Sequence, residues 1–182
     1  MTFFLGVDGG GTRTRVALAD EGGHERARAE GPPTLVDPAN PDATLEVVSS
    51  LCNEVVAEGG VDLPVGGLWA GIAGAGTEPT RSKVEAVLQS AGLASYTGVG
   101  ADAEATFHDA FPSGPGILLI SGTGSIALGR ITGDPWLRVG GWGAHLGDEG
   151  SGYGIGRSAL RAVAKGEDGR GPSTDLRDPV LR

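Results

Sequence analysis

Gly6-Val7-Asp8-Gly9-Gly10-Gly11-Thr12-Arg13-Thr14-Arg15-Val16-Ala17-Leu18 is the stretch that decides the fold of this 182-residue chain. An apolar strand over residues 3–7 runs into consecutive glycines, and a second strand, Thr14 to Ala19, leaves them. Glu21-Gly22-Gly23 marks the next turn, and His24 to Glu30 reads as a polar edge strand. The first thirty residues therefore predict a three-stranded antiparallel meander.

Gly31-Pro32-Pro33 ends that pattern, and a helix is expected from about Asp42, with Leu45, Val48, Leu51, Cys52 and Val55 on one side. Val65 to Ala73 reads as a fourth strand. Val84, Val87, Leu88 and Ala91 then follow the i, i+3, i+4, i+7 spacing of an amphipathic helix. Tyr96 to Val99 is a short fifth strand that passes through Gly100-Ala101 into Asp102, and Ala103, Phe107, Ala110 and Phe111 mark the next helix. The order βββαβαβα predicts an α/β, ribonuclease-H-like (actin-like ATPase) domain: a mixed five-stranded sheet with helices on both faces. From Pro115 the pattern restarts, with strands at Gly116–Ser121, Ile126–Ile131 and Trp136–Val139. A glycine-rich stretch from Gly140 to Gly156 then opens a helix with Ile155, Ala159, Ala162 and Val163 on its apolar face. This reads as an internal duplication visible in topology rather than identity. The expected domains are 1–114 and 115–182, the second being the incomplete start of another such domain that ends in a cut element.

Composition narrows the classes of function. Hydrophobic residues make up 39% of the chain, the net charge is −9, and the only lysines are Lys83 and Lys165. No basic stripe is available to neutralise a nucleic-acid backbone, so no nucleic-acid partner is expected. Cys52 is the single cysteine, which rules out an intrachain disulfide and an all-Cys metal site; it reads as a small apolar residue on a helix. Phe3-Phe4-Leu5 is too short for a signal sequence, and no run reaches transmembrane length, so a cytoplasmic protein without a membrane partner is expected.

The chemistry gathers at two turns. Gly9, Gly10 and Gly11 let backbone amides approach phosphate oxygens, and Thr12 and Thr14 add hydroxyl donors. Asp8 repels phosphate but can hold Mg²⁺, usually through water, and the metal bridges to the phosphates. Gly122-Thr123-Gly124-Ser125 forms a second such tip after its own apolar strand. The plain alternative for the first turn alone is a tight hairpin whose glycines only satisfy turn geometry. Together they predict two loops holding one polyphosphate from opposite sides, and hence ATP-dependent phosphoryl transfer. Without a lysine in either turn, ATP would rely on backbone N–H groups, Mg²⁺ and a few arginines. A P-loop is excluded because Gly-Lys-Ser/Thr is absent, and a dinucleotide site because the first turn runs into a strand. Gly152-Tyr153-Gly154-Ile155-Gly156 has the wrong spacing and no preceding apolar strand. No Gly-x-Ser-x-Gly elbow is present. His24 and His108 read as surface residues, and His145 stays open because it borders the Gly147-Asp148 loop. Asp102, where a strand ends and a helix begins, sits where ligands of open α/β sheets gather and where a helix N-terminus favours negative charge; its plain alternative is an ordinary N-cap.

On Gly6 to Thr14, Ala101-Asp102-Ala103, Leu119 to Ser125, and Gly140-Gly141-Trp142-Gly143 leading to Gly147-Asp148-Glu149-Gly150-Ser151, the chain resembles the N-acetylglucosamine and glucosamine kinases grouped with the BadF/BadG/BcrA/BcrD ATPases, in the actin/hexokinase/Hsp70 superfamily. The resemblance covers nearly the whole chain, and Gly-Trp-Gly followed by Gly-Asp-Glu-Gly-Ser is its most specific element. It implies that Asp102 is the catalytic base for a sugar hydroxyl, and that Thr123, Asp148 and Glu149 contact the sugar. Trp142 either stacks on the sugar or packs the domain. Such kinases commonly place an Asn in a Gly-Pro-x-Asn context. Here the stretch is Gly31-Pro32-Pro33-Thr34 and the next Asn is Asn40, so Thr34 and Asn40 are the substrate candidates there and N-acetylglucosamine against glucosamine is undecided. The implied activity is ATP- and Mg²⁺-dependent phosphorylation of a 6-hydroxyl in a cleft between two domains, with a homodimer left open. Two alternatives stand beside it. One is an activator ATPase of the 2-hydroxyacyl-CoA dehydratase or benzoyl-CoA reductase type, whose iron–sulfur cluster Cys52 alone is poorly equipped to hold. The other is a non-catalytic nucleotide- or sugar-binding fragment.

Overall fold

Alternation of apolar and polar residues builds the first sheet. In the computed structural model, which describes residues 1–36, 40, 42–132 and 136–181, β1 (Phe3–Gly9) buries Leu5, Val7 and Gly9 and turns Phe4, Gly6 and Asp8 to the other face. β2 (Thr14–Asp20) runs antiparallel to it with Thr14 opposite Gly9, and β3 (Glu25–Gly31) runs antiparallel to β2. β4 (Gly67–Ile72) is parallel to β1, and β5 (Thr97–Gly100) is parallel to β4. The sheet order β3-β2-β1-β4-β5 is the mixed five-stranded arrangement expected. β1 extends two residues beyond its apolar run because the first glycine still pairs in register with Thr14.

Helices cover both faces. α1 (Asp42–Gly59) supplies Val48, Leu51, Cys52, Val55 and Val56, and α2 (Glu78–Ser90) supplies Val84 and Leu88, to a core shared with Leu5, Val16, Leu18, Leu68 and Ile72. Each such side chain contributes about 1.5–3 kcal/mol by leaving water. α3 (Asp102–Ala110) lies on the opposite face, where a Cβ added at Gly71 would stand 3.1 Å from that of Ala105; the glycine is what admits the helix. Arg81 on α2 meets Glu104 on α3 at 2.6 Å, fixing the entry to α3.

The parallel strands put the carboxyl ends of β1, β4 and β5 along one edge, and the chain leaving β3 crosses that edge. Thr34 N–H donates to Gly10 O (3.1 Å), Val36 N–H to Ala73 O (3.1 Å), and Ala73 N–H to Gly9 O (2.7 Å). The first glycine turn is thereby anchored from two sides.

Residues Met1–Asp109 form one unit and Ala110–Arg182 a second. The second holds an antiparallel sheet of β6 (Gly116–Ser121), β7 (Ser125–Arg130) and β8 (Leu137–Gly140), then α4 (Gly152–Glu167) and α5 (Arg177–Leu181). α5 occupies the stretch read in sequence as a cut element. Arg130 fastens the start of this unit, donating to Gly114 O (2.9 Å) and Phe111 O (2.7 Å). Here the apolar pattern is not matched by burial: Val163 is the one buried residue of α4, while Ile155, expected on its apolar face, is exposed, as are Ile117, Leu119 and Val139 on the sheet.

Candidate active site

The hairpin register places Asp8 opposite Arg15 and Arg15 opposite Glu30. Their side chains make a charged row: Arg15 stands 3.7 Å from Asp8 and 3.3 Å from Glu30, and Arg13 stands 3.3 Å from Glu30. A hydrogen bond from the Arg15 guanidinium, opposed by partial desolvation and helped by Arg13, holds the Glu30 carboxyl below its usual range. The row is solvent-exposed and adds little to stability. What it does is deliver Asp8 to the sheet edge with a cation beside it. A groove of about 380 Å³ on the same face is lined by Gly6, Asp8, Arg15, Arg28, Trp69 and Ala105. Sequence reasoning missed Arg15, although its signal was present: positions 8 and 15 are symmetric about the Gly10–Arg13 turn.

Within that turn Gly10 N–H donates to Arg13 O (3.0 Å), and Gly11 and Thr12 are exposed at the tip. A Cβ at Gly11 would meet nothing within 4 Å, so the space above the tip is open to a ligand. Thr14 and Thr34 are placed otherwise than expected. Both are buried, and their hydroxyls bond each other at 2.5 Å, so neither is presented to phosphate or sugar. The cause is period: Thr14 points to the same face as Val16 and Leu18, toward the core. Asn40 is exposed; Asp37-Pro38-Ala39 before it lie outside the described residues.

Asp102 opens α3 at the same edge. The register Asp8↔Gly71↔Gly100 puts the last residue of β5, two positions before Asp102, two strand spacings from Asp8, roughly 10 Å. Its Oδ1 accepts Ala103 N–H at 2.9 Å, and the half-buried carboxylate keeps its other oxygen without a partner among the described residues. One oxygen of this side chain is thus left for a further role.

In the second unit the tip between β6 and β7 is bolted to the acidic loop that precedes α4. Gly152 N–H donates to Gly122 O (2.8 Å), Ser125 Oγ–H to Glu149 O (2.8 Å), Ser121 Oγ–H to Gly150 O (3.0 Å), and Ser125 N–H to Asp148 Oδ1 (3.2 Å). Ser151, fully buried and also unforeseen, caps α4 by accepting Gly154 N–H at 3.0 Å. Ser125 therefore spends both its donors inside the protein. Gly122 N–H is likewise bonded, to Gly124 O (2.9 Å), which leaves Thr123 and Gly124 as the amides of this tip without a partner among the described residues. Asp148 is buried, whereas Glu149 is exposed, and a groove of about 690 Å³ runs past both, lined also by Tyr153, Arg157, Arg161 and Leu176. Trp142 is exposed under the Arg138 guanidinium (5.5 Å), and His145 is exposed.

No group of three or more His, Cys, Asp or Glu side chains among the described residues forms a metal cage. Mg²⁺ at Asp8 would take its remaining ligands from water and phosphate, which is how Mg²⁺ is usually held, so the exposed carboxylate fits the ion. Cys52 is buried in α1, and burial pushes its thiol up to about 12, an inert position. No described helix is long and apolar enough to cross a membrane.

A 3-2-1-4-5 mixed sheet, with a glycine hairpin and an aspartate at its carboxyl edge, defines an actin-like ATPase fold of the kind found in hexokinases. The ROK hexokinase of Thermus thermophilus matches that fold at a TM-score of 0.54 over 89% of this chain and 64% of its own, with 18% identity. A model of the BadF/BadG/BcrA/BcrD ATPase family matches residues 5–181, and the chain belongs to that family. It is 32% identical over its whole length to an N-acetylmuramic acid/N-acetylglucosamine kinase of Clostridium acetobutylicum, spanning 60% of that relative. To an N-acetyl-D-glucosamine kinase of Dictyostelium discoideum it is 32% identical over 98% of the chain, spanning 59% of that protein. A Chromobacterium violaceum structure, provisionally called an N-acetylglucosamine kinase, superposes with a TM-score of 0.84 at 27% identity, covering all of this chain and 63% of its own. The chain thus spans about three fifths of the length of the relatives it matches.

Proposed function

We propose that the protein of which this chain is the sequence transfers the γ-phosphoryl group of ATP to the 6-hydroxyl of an amino sugar, N-acetylglucosamine or glucosamine. The observation that carries the reading is the shared edge of the first sheet, where the open Gly9–Thr12 turn, the exposed Asp8 carboxylate and Asp102 all emerge. The relatives named above support the choice of an amino sugar.

In this reading the amides of Gly11 and Thr12 and the Thr12 hydroxyl bind phosphate oxygens, as do the amides of Thr123 and Gly124 in the second turn. Asp8 holds Mg²⁺, which when bound neutralises phosphate charge and aligns the chain of phosphates. Asp102 orients the sugar hydroxyl and accepts its proton as the oxygen–phosphorus bond forms and the bond to the ADP oxygen breaks. A weak base suffices, because a loose transition state releases that proton late. Asp148 and Glu149, both lining the groove of the second unit, contact sugar hydroxyls. The activator-ATPase alternative gains nothing from Cys52, which is buried and inert.

Asp102→Asn is the test. It keeps the hydrogen-bond acceptor for Ala103 N–H and should keep fold and nucleotide affinity, while turnover falls at least about a hundredfold, the usual worth of a positioned base. Turnover within about twofold of wild type would remove Asp102 from the mechanism.

A further inference from the structure

Arg81 and Glu104 join helices that lie on opposite faces of the first sheet. α2 packs on the core face and α3 on the other, and β5 between them is an edge strand of four residues. Arg81 Nη2 donates to Glu104 Oε1 at 2.6 Å, with 29% and 21% of the two side chains exposed. The contact has a cost, because Arg81 Nε is buried with no hydrogen-bond partner among the described residues. A covered ion pair left partly unsatisfied is a poor source of stability.

What the pair holds is the first turn of α3. Glu104 stands two residues after Asp102, and its N–H donates to Ala101 O (2.9 Å). Beneath that turn the sheet is paved with glycine. Trp69 lies across Gly71, Gly98 and Gly100, where added Cβ atoms would stand 3.0, 3.0 and 2.7 Å from its ring. At Gly100 the same Cβ would stand 2.6 Å from Glu104 Oε2. The missing side chains let the indole and the carboxylate settle against the strand that leads into Asp102.

On the kinase reading above, we infer that Arg81 and Glu104 are positioning residues for Asp102. The pair fixes the first turn of α3 so that the second carboxylate oxygen of Asp102 stays turned to the acceptor hydroxyl. Arg81 touches neither sugar nor nucleotide in this role; it acts through Glu104 and the helix backbone.

Substitutions at the two ends of the pair test it in the full-length protein. Glu104→Met removes the acceptor on an unbranched side chain, Glu104→Gln keeps an oxygen for Arg81, and Arg81→Met removes the donor. In steady-state kinetics with Mg·ATP and N-acetylglucosamine or glucosamine, each methionine variant should lower kcat about tenfold while both KM values stay within about threefold. Glutamine should recover most of the loss. The double methionine variant should fall no further than either single one, because the two side chains act as a unit. A merely structural bridge would lower the urea midpoint and leave kcat alone. In the unliganded protein, amide hydrogen exchange at Ala103 should speed up about tenfold or more in the methionine variants, since exchange reads the opening of that turn. Turnover within about twofold of wild type in both single methionine variants overturns the proposal, and so do losses that add in the double. Should the methionine variants not fold, Glu104→Asp decides. It withdraws the carboxylate by one methylene and should cost about tenfold in kcat with both KM values held; wild-type turnover there overturns the proposal. If the wild type phosphorylates neither sugar, the kinase reading fails, and Ala103 exchange still decides whether the pair holds the turn.

Discussion

Asp20 and Asp102 are both aspartates at strand ends, and their surroundings give them opposite uses. Asp20 is buried, and its Oδ1 accepts the N–H groups of Gly22 (2.9 Å) and His24 (3.1 Å) while Arg26 lies 2.8 Å from Oδ2. The His24 amide above all, then Gly22 and Arg26, hold its carboxyl below the ordinary 3.8 against the opposing effect of burial. A depressed native value means the stabilisation is fully present above pH 3.8 and is lost as pH falls through that lower value. Asp20→Asn should therefore lower the urea midpoint at pH 7, and the gap from wild type should narrow as pH is taken progressively below 3.8. A gap that stays constant as pH falls would mean the charge is not what stabilises the turn. Asp102, half-buried with one carboxylate oxygen unpartnered among the described residues, has no such network. Its position was legible in the sequence, because Gly-Ala-Asp after a short strand fixes a strand-to-helix junction. The burial of Asp148 was not legible: a Gly-Asp-Glu-Gly-Ser string announces an acidic loop but not which carboxylate turns inward.

At the scale of elements, the order and type of every strand and of the first four helices were readable, since periods of 2 and 3.6 switch cleanly along the chain. The faces were less so. Thr14 opens β2 as read, but it was expected to offer its hydroxyl to phosphate, and its parity on the strand sends that hydroxyl into the core. There it meets Thr34 and joins the segment after β3 to the hairpin. Thr14→Val or Thr34→Val alone should cost about 1–3 kcal/mol, because each strands the other hydroxyl in an apolar setting. The double variant should cost clearly less than the sum. Denaturant unfolding of the three variants checks this, and strict additivity would show that the pair does not act as one. α4 shows the reverse case: its amphipathic pattern was plain, yet Val163 is its one buried residue.

At the scale of the molecule, the two units each present a glycine turn at a sheet edge, with an aspartate beside it in the first and an exposed glutamate near it in the second. The family model matches residues 5–181, across both units, and the relatives named above are amino-sugar kinases. The most direct measurement is ADP release by the full-length protein with Mg·ATP, alone and with N-acetylglucosamine, glucosamine and glucose in turn. The account predicts strong release with an amino sugar, matched mole for mole by sugar 6-phosphate, and little with ATP alone. ADP release at one rate whatever sugar is present would contradict it.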